Sequence, residues 1–374
     1  MEKNYKFRRG IHLLKEVNQL SEKVYKQISV IHEYFIKLGQ DEPALRLEVP
    51  KPRPKEFSIL EEAVPDMIAV DGSFSWLWNP QGTSIWLALI RTGAVIFSVE
   101  EVNENLGYKF VDYVIQDDIE LITPDEALVQ ELDSLHQELL TYVGNSKIQG
   151  FEKETIALAL LRYHEQRLLF EMVKKYKNVI VAVDGTLTTG FFDEFMTLME
   201  NIVRICEQNE NLLIGVSKDS KLHSYSNYYV DEQYFKRIIS KEPHKLYYYK
   251  IPSEIIKRNI STPLYGDVYY AQLHPYAPKW FRVDVGTYKE QPDRVFSSVA
   301  QYARSALSPG FIHPALEAHK LVVSIRQNRE VYENMIYEMG TEVGFTPQEI
   351  LDGITNLEGR SRGSYHEYLD IISR

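Results

Sequence analysis

Two apolar segments of the chain end in the same three kinds of residue. Residues 67–73 read MIAVDGS, and residues 179–186 read VIVAVDGT. An apolar, β-prone run that stops at an aspartate, a glycine and a hydroxyl side chain is typical of a buried strand whose carboxylate lies where the backbone turns away. Asp-Gly is also common in turns without any function. Two copies after fully apolar runs favour a shared acidic site for a metal ion or a phosphate.

The composition is that of an ordinary globular protein. The chain has 374 residues, of which 44% are hydrophobic, so it can bury a large core. Its start has no signal or transit peptide pattern, no apolar run is long enough to cross a membrane, and Cys206 is the single cysteine. We therefore expect a cytoplasmic protein without disulfides. The formal net charge of −11 argues against broad coating of nucleic acid but does not exclude a nuclease, because metal-binding carboxylates are themselves negative.

The chain begins with a helical pattern. Residues 13–38 carry apolar side chains at intervals of three and four, which predicts an amphipathic helix that ends at Gly39. Its apolar stripe either packs on the body of the protein or pairs with a partner. Four prolines then predict an extended connector over residues 41–57.

From residue 66 the patterns alternate between strand and helix. A strand that ends at Asp71 and short β-prone runs at 84–89 and 94–99 predict a three-stranded antiparallel meander. Later elements are predicted as helices at 153–176, 192–208 and within 310–328, strands at 179–184, 212–216, 267–273 and 280–285, and a helix that starts at 346–349. This order predicts a mixed α/β sheet with helical additions at both ends.

Asp71 and Asp184 are the first candidate site residues. Two aspartates within a few ångströms of each other repel unless a cation lies between them, so a divalent metal is the natural partner. Oxygen ligands favour Mg²⁺ or Mn²⁺. The alternative is that each aspartate caps its own turn.

Three further side chains could join such a site. Glu165 lies in the helix before the second strand, where Glu171 competes for the same role. Lys218 follows an apolar strand in a Ser-Lys-Asp-Ser turn and could contact a phosphate. His319 could ligate a metal or carry a proton, as could His313. For each of them the alternative is a solvated or purely structural side chain.

Six motifs stand in a fixed order along the chain. They are IAVDGS at 68–73, a helix with Arg162 and Glu165, VAVDGTL at 181–187, GVSKDSK at 215–221, LHPYAPKWFRVDV at 273–285 and GFIHPALEAHK at 310–320. In this combination the chain resembles the NurA nuclease family over residues 66–328. The resemblance implies a ribonuclease-H-like, Piwi-like core and Mn²⁺-dependent cleavage of single-stranded DNA and duplex ends. It also implies a homodimer that works with a hexameric HerA-type translocase ATPase in DNA end resection, repair or anti-phage defence.

Carried onto this sequence, the resemblance implies a role for each candidate residue. Asp71, Glu165, Asp184 and His319 would hold Mn²⁺, with Mg²⁺ as the alternative, for two-metal phosphodiester hydrolysis. Lys218 would neutralise the scissile phosphate. The corresponding division of the chain is an N-terminal helix and connector at 1–57, the nuclease domain at 58–335 and a helical extension at 336–374.

One position departs from the family pattern. Where Gly-Tyr is expected eight residues before His319, this chain has Gly310–Phe311. Tyr302 or Tyr276 could supply the missing hydroxyl, or the hydroxyl is not needed.

Three aromatic side chains are candidates for contacts with nucleic acid bases. Trp76, Trp78 and Tyr276 could stack on unpaired bases, or could simply pack.

Two other classes of protein were considered. A sugar-kinase or actin-like ATPase would need a late glycine cluster, where only isolated glycines such as Gly286 and Gly310 occur. A catalytically inactive module that binds DNA or a translocase is the second rival. It fits less well, because both aspartates, the lysine and the histidine are present together.

Overall fold

The computed structural model describes residues 52–80, 85–102, 105–124, 153–190, 193–226, 229–239, 245–286 and 291–354, together with Val30 and Gln137. The predicted amphipathic helix and the end of the C-terminal extension lie outside these ranges. Within them, no helix is both long enough and apolar enough to span a bilayer.

The described residues form one mixed sheet of nine strands. The strands are β1 (Lys55–Phe57), β2 (Met67–Trp78), β3 (Trp86–Val102), β4 (Asn105–Ile122), β5 (Ile180–Asp184), β6 (Leu212–Ser217), β7 (Leu246–Lys250), β8 (Asp267–Gln272) and β9 (Phe281–Val285). Their order across the sheet is β1-β7-β8-β9-β6-β5-β2-β3-β4. β5 runs parallel to its neighbours β2 and β6, and the other pairs are antiparallel. The predicted mixed sheet is therefore confirmed.

Helices cover both faces of the sheet. They are α1 (Lys153–Lys175), α2 (Asp193–Gln208), α3 (Asp231–Ile239), α4 (Ser253–Asn259), α5 (Pro292–Gln301), α6 (His313–Val323), α7 (Ile325–Glu342) and α8 (Pro347–Gly353). α7 runs through the domain boundary predicted at residue 335. The three-part division of the chain stays a prediction.

Side chains of the central strands alternate between two cores, as the period of two in a strand requires. Met67 and Ala69 of β2 pack with α5 and α6 on one face. Ile68 and Val70 pack with α1 and α2 on the other. The candidate site lies where these strands meet both helical layers.

The predicted meander exists, but its strands differ from the prediction. β2 does not end at Asp71 and continues to Trp78, while 84–89 and 94–99 are parts of the single strand β3. The third strand of the meander is β4, which pairs along the whole of β3. Arg91 does not break β3, because its guanidinium forms two 2.6 Å hydrogen bonds with Asp117 of β4.

Helix α1 is tied to the edge strand β4 by a buried histidine. The Nε2 atom of His164 lies 2.5 Å from Oε1 of Glu120, and its Nδ1 atom lies 3.3 Å from Oδ2 of Asp118. Burial disfavours the charged imidazole, but the two carboxylates outweigh burial and raise the pKa of His164 to about 9. The resulting charged contact fixes α1 against the sheet.

Candidate active site

Asp71 and Asp184 lie side by side where the parallel pairing of β2 and β5 ends. The last paired residues are Val70 and Val183, so the aspartates occupy the next position on each strand. By alternation they point to the same face as Ala69 and Ala182, the face that α6 covers. Both carboxylates are almost completely buried.

Helix α6 brings His319 to this pair. The Nδ1 atom of His319 lies 2.8 Å from Oδ2 of Asp71. One ligand atom from each of Asp71, Asp184 and His319 lies within 4.8 Å of the other two. Residues that are distant in sequence thus converge at one point.

Glu165 reaches the cluster from α1, on the opposite face of the sheet. Its carboxylate occupies the space above Gly72, where an added Cβ would lie 2.8 Å from Oε1 of Glu165. The backbone N–H of Gly72 donates a 2.9 Å hydrogen bond to Oδ1 of Asp71. Because Gly72 has no side chain, the Glu165 carboxylate can approach Asp71 from this face of the sheet.

Lys218 closes the cluster from the end of β6. Its Nζ atom forms an ion pair with Oδ2 of Asp184. The Phe311 ring lies 5.8 Å from the same Nζ atom. The residue that departs from the family pattern therefore lies directly beside the candidate catalytic lysine.

The turn that carries Lys218 is held by a second lysine. Lys279 donates hydrogen bonds to the backbone carbonyl of Lys218, to Oδ1 of Asp219 at 2.6 Å and to Oε2 of Glu232 at 3.0 Å. The other oxygen of the buried Glu232 accepts from the backbone N–H of Ser220 at 2.9 Å. Lys279 and Glu232 thus fix the backbone on both sides of Asp219.

A buried ion pair fixes the loop after Asp184. Asp284 of β9 accepts a 3.0 Å hydrogen bond from the backbone N–H of Leu187. Its carboxylate is also paired with Arg282, at 2.7 and 2.8 Å. Removing either charge would leave the other buried without a counter-ion.

The carboxylates of the site share a small, poorly solvated volume. Burial, reinforced by the charge of Asp71, raises the pKa of Asp184 to about 6 despite Lys218. Burial also raises the pKa of Glu165 to about 7; Asp71 and Asp184 act in the same direction, while Arg162 opposes them. Carboxylates that resist ionisation in this way gain from a divalent cation among them. The oxygen and imidazole donors of Asp71, Asp184 and His319 fit a Mn²⁺ or Mg²⁺ ion.

The two alternative candidates, Glu171 and His313, do not join the cluster. Glu171 is exposed and pairs with Lys174 at 3.5 Å, so Glu165 is the carboxylate of α1 that faces the site. His313 is stacked against Tyr108, with ring centroids 4.6 Å apart, rather than joining the cluster. Burial lowers the pKa of this histidine.

The aromatic candidates also differ in their burial and contacts. The Tyr302 hydroxyl lies 2.9 Å from the carbonyl oxygen of Pro65, and the residue is fully buried, so it does not replace the missing hydroxyl at Phe311. Trp76 is buried, and the Trp78 ring fills the space beside Gly353. Tyr276 is 70% exposed.

Several residues of the site were not recognised from the sequence. Lys279 and Asp284 occur in the motif at 273–285, but nothing in their spacing indicates that they hold the loops after β6 and β5. Glu232 lies in no motif and resembles any acidic residue at a helix start. Only the tertiary contacts show what these three residues support.

The mixed sheet, with an acidic cluster where the parallel pairing of its central strands ends, defines a mixed α/β protein with a candidate metal centre. A model of the NurA domain matches residues 65–323, and the chain belongs to the NurA family. The family and fold class expected from the sequence are thereby confirmed.

The fold was also compared with solved structures. The NurA nuclease of Sulfolobus solfataricus is similar, with a TM-score of 0.51 at 16% identity over 88% of this chain and 100% of that chain. Two Aquifex aeolicus Argonaute structures align with 71% of this chain at 11% identity, with TM-scores of 0.29 and 0.33. This chain spans 29% and 30% of those Argonaute chains. No curated protein sequence matches the chain.

Proposed function

We propose that the protein is a Mn²⁺-dependent nuclease that hydrolyses phosphodiester bonds of single-stranded DNA and duplex ends. One observation carries the proposal: Asp71, Asp184 and His319 present ligand atoms within 4.8 Å of one another. Membership of the NurA family and the similarity to a NurA nuclease support it.

The donor set suits a divalent metal at this point. Asp71, Asp184 and His319 would hold the ion, and Glu165 would complete its surroundings from the other face of the sheet. When bound, such an ion lowers the pKa of a coordinated water and offsets negative charge on the departing oxygen. Mg²⁺ is the alternative to Mn²⁺.

Lys218 and His319 have separate tasks in this proposal. Lys218, whose ammonium group pairs with Asp184, would turn towards the scissile phosphate and stabilise the charge that develops there. The Nδ1 atom of His319 lies 2.8 Å from Oδ2 of Asp71, so this imidazole and this carboxylate would share one ion.

The family relationship also supplies the proposed partners. The protein would act as a homodimer with a HerA-type hexameric ATPase, in DNA end resection during repair or in defence against foreign DNA. The predicted amphipathic helix within residues 1–57 is a candidate dimer contact.

The proposal is tested with isosteric variants of the two aspartates. End-labelled single-stranded DNA is incubated with wild-type protein, D71N and D184N, in Mn²⁺ or in EDTA. We expect wild-type protein to degrade the strand only with metal, and both variants to fall to background while keeping the wild-type circular dichroism spectrum. D267N is the matched control, because it removes an aspartate of a surface ion pair with Lys250.

Two outcomes contradict the proposal. Degradation by both aspartate variants would place the chemistry elsewhere. Binding of DNA by wild-type protein without metal-dependent cleavage would favour the rival function, an inactive module that binds DNA or a translocase.

A further inference from the structure

Arg162 lies beside the acidic cluster in a way that the proposed metal ligands do not explain. It precedes Glu165 by three positions on α1, and its Nη1 atom lies 3.6 Å from Oε2 of Glu165. About half of its side chain is exposed, whereas the Glu165 side chain is 10% exposed. The guanidinium thus stands at the surface above a buried carboxylate.

The second Asp-Gly pair makes room for this arginine. A Cβ added to Gly185 would lie 3.3 Å from Nη1 of Arg162. Gly185 also has a φ of 139°, which favours glycine. The Arg162 side chain therefore packs against Gly185, and the Glu165 side chain packs against Gly72. These glycines directly follow Asp184 and Asp71.

The contact with Glu165 does not occupy the guanidinium. A separation of 3.6 Å is longer than an N–H···O hydrogen bond. A guanidinium has five N–H donors in a planar fork that matches two oxygens of a phosphate. A partly exposed fork beside a candidate phosphodiesterase centre is suited to bind the strand that enters it.

We propose that Arg162 binds a phosphate of the DNA strand next to the scissile phosphate, on the side of the metal centre opposite the β6 turn that carries Lys218. The inference rests on the proposed nuclease function. It assigns α1 a direct role in substrate binding in addition to its supply of Glu165. Two cations, one from α1 and one from β6, would then neutralise successive phosphates on either side of the carboxylates.

Arg167 provides a matched control on the same helix. Its guanidinium lies 5.8 Å from the Tyr163 ring and lines a separate surface groove with Phe170 and Glu171. R162Q and R167Q remove the same charge from α1 at positions about 140° apart around its axis. A difference in DNA affinity between R162Q and R167Q would therefore reflect the position of the arginine and not the net charge of the protein.

The experiment measures binding of fluorescein-labelled oligo-dT in Ca²⁺, at a series of salt concentrations. We expect R162Q to bind roughly tenfold more weakly, as for loss of one charged hydrogen-bonded contact. The slope of log K against log salt should fall by about 0.7, the value for one phosphate contact to a single strand. R167Q should match wild-type protein, and R162K should keep the slope while losing part of the affinity.

Calorimetry with Mn²⁺ separates substrate binding from positioning of Glu165. We expect R162Q to bind Mn²⁺ as wild-type protein does. A loss of Mn²⁺ affinity in R162Q, or a salt slope equal to that of R167Q, would overturn the inference while leaving the nuclease function intact. Failure of wild-type protein to bind or cleave DNA would overturn both.

Discussion

The two Asp-Gly pairs are not simple turn sequences. Asp71 lies within β2, not at its end, and only Asp184 ends its strand. The two glycines are required because side chains of α1 pass over them. A glycine that follows an aspartate can therefore mark the approach of another element as well as a turn.

The protonation of Glu165 should make the stability of the fold depend on pH. The folded protein holds the proton of Glu165 up to a pKa of about 7, whereas the unfolded chain releases it near 4.5. Between these values the folded state binds more protons, so stability falls as pH rises. We expect metal-free wild-type protein to lose about 3 kcal/mol relative to E165Q between pH 4.5 and pH 8, as measured by urea unfolding in EDTA.

The exposed Glu171 supplies the control for that comparison. E171Q should follow wild-type protein across the whole pH range, because Glu171 is solvated on the same helix. If E165Q and wild-type protein lose stability in parallel, Glu165 is already ionised in the metal-free fold and its raised pKa is wrong.

At the scale of elements, the turn after β6 depends on its contacts with the β8–β9 turn. Loss of the Lys279 ammonium would leave the buried Glu232 without its cation and release the carbonyl of Lys218. Small displacements of a group that contacts the reacting phosphate are costly. We expect K279Q to lower kcat/KM for single-stranded DNA by roughly tenfold, with unchanged Mn²⁺ affinity by calorimetry.

Lys250 offers a comparison for K279Q. K250Q breaks an exposed 2.6 Å ion pair with Asp267 and should leave kcat/KM unchanged. K279R should recover most of the activity, because it restores a cation between the two carboxylates. Equal activity of K279Q and wild-type protein would show that the turn holds its conformation without Lys279.

Elements with a clear local apolar pattern were predicted closely, whereas the limits of β2 and β3 were not, for a physical reason. The apolar period of α1 and α2 is local, and each observed helix begins and ends within one residue of the prediction. The limits of β2 and β3 depend on partners far along the chain. Arg91, for example, stays in the middle of β3 because Asp117 of the neighbouring strand β4 pairs with its charge.

Other elements left too little signal to be predicted. β1 has three residues, and β4 carries charged residues among exposed apolar ones, such as Phe110 and Tyr113. An edge strand does not need two apolar faces, so its pattern is weak. β7, α3, α4 and α5 were also missed, although each packs on the sheet or on its aromatic cores.

At the scale of the whole molecule, the site joins both layers of helices through the centre of the sheet. The strands β2 and β5, which carry Asp71 and Asp184, and β6, which ends just before Lys218, are adjacent in the sheet order. α6 supplies His319 from one face, and α1 supplies Glu165 from the other. A ligand held by these residues connects elements that are otherwise separated by the sheet.

Metal binding should therefore stabilise the entire fold. A ligand that binds only the folded state at 100 times its Kd adds about 2.7 kcal/mol. We expect saturating Mn²⁺ to raise the Tm of wild-type protein by several degrees and to leave the Tm of D184N unchanged. D267N should respond as wild-type protein does, and an equal rise in D184N would place the bound metal outside the acidic cluster.

The sequence by itself determined the two apolar strands with their aspartates, the helices that flank them and the family, because these depend on local periodicity and on motifs in a fixed order. The tertiary structure decided which side chains share a site. The choice of Glu165 over Glu171, the approach of Arg162 and the support from Lys279 follow from sheet register and from the faces that helices present to it. Those relationships join residues far apart in the chain, and no local pattern records them.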